Sequence, residues 1–176
     1  GVSSDAQGNT LAGTDAGDSF DGTNALNNTL IGHSAGTAIT TADDVVAVGK
    51  EAGAAITTNG YSTFVGMYAG RSNTAWNGCA FGYEALKANT TGASNTGLGF
   101  ESLKTNTTGN YNTASGFQAL RNNQTGDGNV AVGCEALETL TTANSTTAVG
   151  KDAGKLITTG SYNHLFGIAA GDAITT

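Results

Sequence analysis

The chain has 176 residues, of which 27 are glycine and none proline, with 12% charged and 7% aromatic residues and a formal net charge of −7. That acidity lacks the basic patch phosphate backbones require, so it argues against a nucleic-acid partner and fits a role in solubility. No apolar run approaches the roughly 18 residues of a membrane-spanning helix, which argues against membrane insertion.

Residues 1–8 carry no repeat. Periodicity starts at about residue 9, where Asn9-Thr10-Leu11-Ala12-Gly13-Thr14-Asp15-Ala16-Gly17 introduces a frame that then recurs. Gly32 follows nineteen residues after Gly13, and from there a glycine returns every seventeen residues at Gly49, Gly66, Gly82, Gly99, Gly116, Gly133, Gly150 and Gly167, except for one sixteen-residue step from Gly66 to Gly82. Fixed-period self-similarity marks a solenoid, in which each repeat buries its apolar face only against its neighbours. Residues 1–176 therefore read as a single repeat array: all-β, a β-solenoid of about ten 17-residue coils, with these ten glycines as its structural turn residues. The absence of proline agrees, because proline cannot donate to a ladder. The chain opens without Met and stops inside a repeat at Ala173-Ile174-Thr175-Thr176, which reads as a piece of a longer array without end caps or targeting signals.

Aligned on the glycine, the repeats become columns. The residue three before it is mostly β-branched, which favours extended backbone, so a short strand is expected to run into each glycine. The residue just before it is apolar in nearly every coil, as in Ile31, Val48, Val65, Phe81, Leu98 and Val132, and reads as a buried column. Three after it stands Ala or Ser, which implies close approach of another backbone. Thr-Thr-Gly corners such as Thr90-Thr91-Gly92 and Thr107-Thr108-Gly109 close the coil, with glycine and asparagine supplying positive φ, and Asn95, Asn112, Asn129 and Asn163 open the next strand by satisfying corner backbone groups. Two or three short strands per coil are expected.

Two columns trade volume. Four after the glycine the chain carries Gly or Leu, and seven after it a large apolar residue or Asn; Gly coils have Ile39, Ile56 and Ile157, whereas Leu86, Leu103 and Leu120 precede Asn89, Asn106 and Asn123. Close packing penalises both cavities and overfilling, so the two positions are expected to fill one space. The shortened coil breaks the rule with Gly70 and Asn73 both small, and Leu137 and Leu140 break it by both being large. Charges are sorted as well: acids two after the glycine (Glu51, Glu84, Glu101, Glu135) face bases five after it (Arg71, Lys87, Lys104, Arg121, Lys155). This reads as a charge-compensated solvated face.

Segments such as Asn95-Thr96-Gly97-Leu98-Gly99-Phe100-Glu101-Ser102-Leu103-Lys104-Thr105-Asn106-Thr107-Thr108-Gly109 and Asn112-Thr113-Ala114-Ser115-Gly116-Phe117-Gln118-Ala119-Leu120 resemble repeats of phage tail fibres, particularly of marine phages, and are similar to head repeats of trimeric autotransporter adhesins. The resemblance implies three parallel chains around a common axis, reaching from a virion or cell to a host surface, with binding specificity at a distal tip that is not recognisable here. Trimerisation also suits the composition. One large apolar side chain per coil buries too little to offset an ordering cost of roughly 1–2 kcal/mol per residue, and three coils sharing an axial core do better. The seam between chains is expected to use an apolar column together with the alanine column.

Chemistry finds few candidates. Cys79 and Cys134 lie in different columns about three coils apart, roughly 14 Å by strand spacing and too far for a disulfide, so they read as packing cysteines. His33 and His164 are also in different columns, which argues against a metal site, although a histidine repeated around a threefold axis is a geometric option for His164. Gly126-Asp127-Gly128-Asn129 is a lone calcium-loop-like corner that does not recur. Trp76, in the irregular coil, is the candidate surface contact, a ring able to stack on sugar.

No catalytic residue, metal or cofactor is expected. The reading is a structural, homotrimeric fibre shaft of a virion or extracellular surface, supporting host attachment, with any host glycan or receptor met through parts outside this sequence. The alternatives are an ice-binding solenoid built on the column containing Thr40, Thr57, Thr74 and Thr90, a polysaccharide-degrading fibre enzyme, and an extracellular self-assembling microbial filament.

Overall fold

A computed structural model describes residues 2–20 and 24–175. It contains eleven three-residue strands and, among the described residues, no helix: β1 Val2–Ser4, β2 Thr10–Ala12, β3 Thr29–Ile31, β4 Val46–Val48, β5 Thr63–Val65, β6 Cys79–Phe81, β7 Thr96–Leu98, β8 Thr113–Ser115, β9 Val130–Val132, β10 Thr147–Val149 and β11 His164–Phe166. They form one sheet in chain order. From β2 to β11 every neighbour is parallel and in repeat register, for example Leu30↔Ala47 and Ala131↔Ala148, while β1 lies antiparallel on β2. The chain is a β-solenoid. Its nine coil-to-coil steps, at about 4.8 Å each, give a rod axis of about 43 Å.

Each coil contributes one strand, not the two or three expected. The rest is turn, because left-handed residues interrupt it at fixed places. Two after the glycine stands a residue such as Glu51 (φ 53), Glu84 (φ 55) or Glu101 (φ 55), and four after it Leu86 (φ 52), Leu103 (φ 50) or Leu120 (φ 50). No strand accommodates alternating left-handed residues. The turns are still bonded from coil to coil: Leu86 N donates to Ser102 O at 3.0 Å, Ala88 N to Lys104 O at 3.0 Å and Thr90 N to Thr107 O at 2.9 Å.

The repeating glycine is the point where the strand ends and the coils touch. Gly32 has φ 138, and a Cβ there would stand 2.5 Å from the carbonyl oxygen of Gly49 in the next coil. The corner glycines act differently from the expectation of positive φ. Gly92 and Gly109 are absent from the left-handed residues, which at this corner are Ser94 (φ 57) and Tyr111 (φ 57); the glycines are small because a Cβ would run into the next coil's carbonyl.

Burial corrects a further expectation. The buried strand position is the middle one, two before the glycine: Leu30, Ala47, Phe64, Ala80, Ala114, Ala131 and Ala148 are fully buried. The residue just before the glycine points outward and is exposed in Ile31, Phe81, Leu98, Val132 and Phe166. Strand side chains alternate faces, and the small middle residue is the one that fits inside so thin a coil. The alanine column is likewise internal: Ala35, Ala52, Ala69, Ala85, Ala119, Ala136 and Ala153 are fully buried within one chain, so it belongs to the coil core and not to a seam between chains.

The volume exchange holds, with a third partner. A Cβ on Gly36 would stand 2.8 Å from both Ile39 and Leu30, and one on Gly53 3.1 Å from both Ile56 and Phe64. The positions two before, four after and seven after the glycine therefore line one space. Gly70 and Asn73 are both small in the shortened coil because Phe64 occupies it.

Candidate interaction surface

Polar side chains buried in the coils are consumed by ladders along the rod. Asn106 Nδ2 donates to Asn89 Oδ1 at 2.6 Å and Asn123 Nδ2 to Asn106 Oδ1 at 2.8 Å, and each also donates to the carbonyl of its own corner, Gly109 at 2.9 Å and Gly126 at 3.0 Å. The ladder ends where Leu140 replaces Asn, leaving Asn123 Oδ1 buried without a hydrogen bond. A second ladder runs through the asparagines that open the strands: Asn112 N donates to Asn95 Oδ1 and Asn129 N to Asn112 Oδ1, both at 2.9 Å, while Asn112 Nδ2 donates to Gly126 O at 2.8 Å. These asparagines satisfy corner backbone, as their sequence position suggests. Asp127, in the calcium-like corner, accepts from Asn110 N at 2.6 Å and Asn110 Nδ2 at 3.1 Å, so its carboxylate serves the neighbouring coil.

The acidic and basic columns interlock. Glu84 pairs with Lys87 of its own coil at 2.7 Å and Lys104 of the next at 2.6 Å; Glu101 pairs with Lys104 at 2.7 Å and Arg121 at 2.9 Å. Arg121 and Lys155 extend the line through Glu138 at 3.8 and 3.6 Å. Burial acts to raise the Glu84 pKa, and hydrogen bonds from Lys104, Lys87 and Tyr83 outweigh it, lowering it from 4.5 to about 2. Glu101 is lowered too: burial opposes the shift, and Lys104 and Gln118 overcome it. Lys104, bonded to Glu101 and Glu84, is shifted up. The network straps coils together.

Beside the glycine, the outward column before it is mostly apolar, and the one after it is mixed, with Met67, Tyr83, Phe100 and Phe117 in line with Thr14, His33, Lys50, Cys134 and Lys151. The residue just before the glycine and the residue just after it both face outward, on either side of the bend that ends each strand. After the bend, Tyr83, Phe100 and Phe117 stack ring on ring at 5.2 and 5.3 Å, with Tyr68 meeting Tyr83 edge-on at 6.4 Å. All three stacked rings are exposed. Sequence reasoning missed this ladder, whose signal was an aromatic at the same offset in three successive coils.

Trp76 is 45% exposed and stacks on exposed Tyr61 at 5.8 Å, with 26° between ring planes. Cys79 and Cys134 are free and only half-buried, standing in the outward columns three before and one after the glycine, so they are not core-packing residues. Burial pushes the Cys79 thiol pKa up. His33 and His164 are both exposed. Among the described residues there is no pocket and no group of three or more His, Cys, Asp or Glu able to hold a metal ion.

No family model matches the chain, and neither a search of curated proteins nor one of solved structures finds a match.

Proposed function

We propose that the chain is a non-enzymatic structural shaft of an attachment fibre, carried on a virion or cell surface and assembled from three copies of itself. The observation that carries this reading is the coil-to-coil bonding: strands, turns, asparagine ladders and ion pairs all run along one axis, which makes a stiff rod and leaves the buried polar groups little capacity for chemistry. A thin coil with an apolar strip left outward is suited to association with further copies. The tail-fibre-like repeat pattern points the same way.

The ice-binding alternative is weakened by the threonines it invokes. Thr74, Thr90 and Thr107 each donate their hydroxyl to a carbonyl of the next coil at 2.9 Å, so these hydroxyls serve the rod.

Immunogold labelling of the particles or cells that make the protein tests the proposal. Antibodies raised against the repeat array should decorate thin projections from the surface. Label confined to the cell interior, with none on projections, would contradict it.

A further inference from the structure

Five Asn-X-Thr acceptor sequons for N-linked glycan occur in the chain, at Asn27, Asn89, Asn106, Asn123 and Asn144. Three of them, Asn89, Asn106 and Asn123, are fully buried asparagines of the amide ladder. We infer that the chain reaches this fold only where N-glycan transfer does not act on it, and that Asn27 and Asn144 are the sequons a folded rod can carry modified. This goes beyond the shaft reading and does not rest on it.

The obstacle lies at the reacting atom. Transfer joins the asparagine Nδ2 to the anomeric carbon of a sugar, breaks that carbon's bond to the pyrophosphate of a lipid-linked donor, and releases one Nδ2 proton. Each of these asparagines already donates through Nδ2 to two acceptors. Asn89 donates to Asn73 Oδ1 and to Gly92 O at 2.8 Å, Asn106 to Asn89 Oδ1 at 2.6 Å and Gly109 O at 2.9 Å, and Asn123 to Asn106 Oδ1 at 2.8 Å and Gly126 O at 3.0 Å. Loss of one proton strands a buried acceptor. There is also no room for the sugar: a single Cβ on Gly92 would stand 2.8 Å from Asn106 Nδ2, and one on Gly109 3.0 Å from Asn123 Nδ2.

Turning the side chain outward offers no escape. The same position, seven after the glycine, holds fully buried Ile39, Ile56 and Ile157 in other coils, so the backbone aims it into the core whichever residue stands there. The transferase acts on unfolded chain, and burial in the finished rod gives these sites no shield during synthesis. Asn27 and Asn144 differ, since both are exposed and a glycan on either stays outside the coil. Thr91, Thr108 and Thr125, which complete the three buried sequons, are themselves exposed at the corners, so they can be replaced without touching the ladder.

The test expresses the full chain in one N-glycosylating eukaryotic cell type by two routes, in the cytosol and behind a cleavable secretion leader. On the secretory route, peptide mapping should find glycan at Asn89, Asn106 and Asn123, and the protein should lose the circular dichroism spectrum and cooperative urea transition of its cytosolic form. The combined variant Thr91→Ala, Thr108→Ala and Thr125→Ala should regain both on that route while still modified at Asn27 and Asn144. Asn27→Gln with Asn144→Gln should regain neither. Tunicamycin, which blocks synthesis of the lipid-linked donor, should rescue the wild-type chain with no substitution. A wild-type chain that emerges folded from the secretory route, with those three sites modified or bare, overturns the inference. So does rescue by the Asn27 and Asn144 pair of substitutions, or a chain that stays unfolded under tunicamycin. Loss of the fold in a threonine variant that folds in the cytosol, with only Asn27 and Asn144 occupied, overturns the assignment of those two as tolerant sites.

Discussion

Gly70 is glycine because of Phe64: a Cβ there would stand 2.5 Å from the Phe64 ring, and Phe64 is completely buried. The ring supplies the coil's single large side chain from the strand, so the later positions must stay small. In this coil the exchange runs among three positions, not two, whereas the Gly32 coil buries both Leu30 and Ile39.

That relationship is testable by a double-mutant cycle. Phe64→Ala alone leaves a cavity and should cost about 3–5 kcal/mol. Gly70→Leu alone should overfill the coil, at about 1–3 kcal/mol or more. Combined, they recreate the Ala, Leu and Asn pattern seen at Ala80, Leu86 and Asn89, and the pair should recover at least about 2 kcal/mol relative to the sum of the singles in thermal or urea unfolding. Additive losses would mean that the two positions do not share a space.

The glycine stack makes a prediction with a built-in control. Gly32→Ala sets a Cβ against the Gly49 carbonyl and should destabilise the chain by more than about 3 kcal/mol, well beyond a backbone-conformation cost. Gly167 has positive φ but nothing within 4 Å of its Cβ position, so Gly167→Ala should cost only about 1–2 kcal/mol. Equal losses at the two sites would show that coil contact contributes nothing.

Much of this was legible in the sequence, and what was not has specific causes. The period, the strand leading into the glycine, the volume trade and the charge columns are one-dimensional patterns that residue type reports directly. Burial was misread just before the glycine, since Phe81 and Leu98 look like core residues by type, while the truly buried Ala80 and Gly97 beside them are too small to announce it. Nothing in Glu84 or Leu86 signals a left-handed conformation, which tertiary stacking imposes. The third exchange position was hidden because most coils carry only Ala or Gly there.

Asn106 is the middle of a buried amide ladder, bonded to Asn89, Gly109 and Asn123. Asn106→Ala should cost about 3 kcal/mol, since it strands buried partners on both sides. Loss of the exposed Asn144 side chain by Asn144→Ala should cost less than half of that. Comparable urea midpoints for the two variants would contradict a structural role for the ladder.

Acid should weaken the rod in a defined window. Glu84 has its folded pKa lowered to about 2 from an ordinary 4.5, so the unfolded chain takes up the proton first. The stabilisation is complete above about pH 4.5 and is lost as the pH falls through 2. Melting temperature measured from pH 6 to 2 should decline across that window in wild type and decline less in Glu84→Gln, which starts lower at neutral pH. Parallel curves would remove Glu84 from the acid response.

Small-angle X-ray scattering tests the central claim most directly, because one profile gives both mass and shape. A shaft of three chains lying side by side predicts three times the 17.4 kDa of a single chain, in a rod whose axis still measures about 43 Å. A particle of one chain's mass, or a threefold mass with a rod three times as long, would contradict side-by-side assembly.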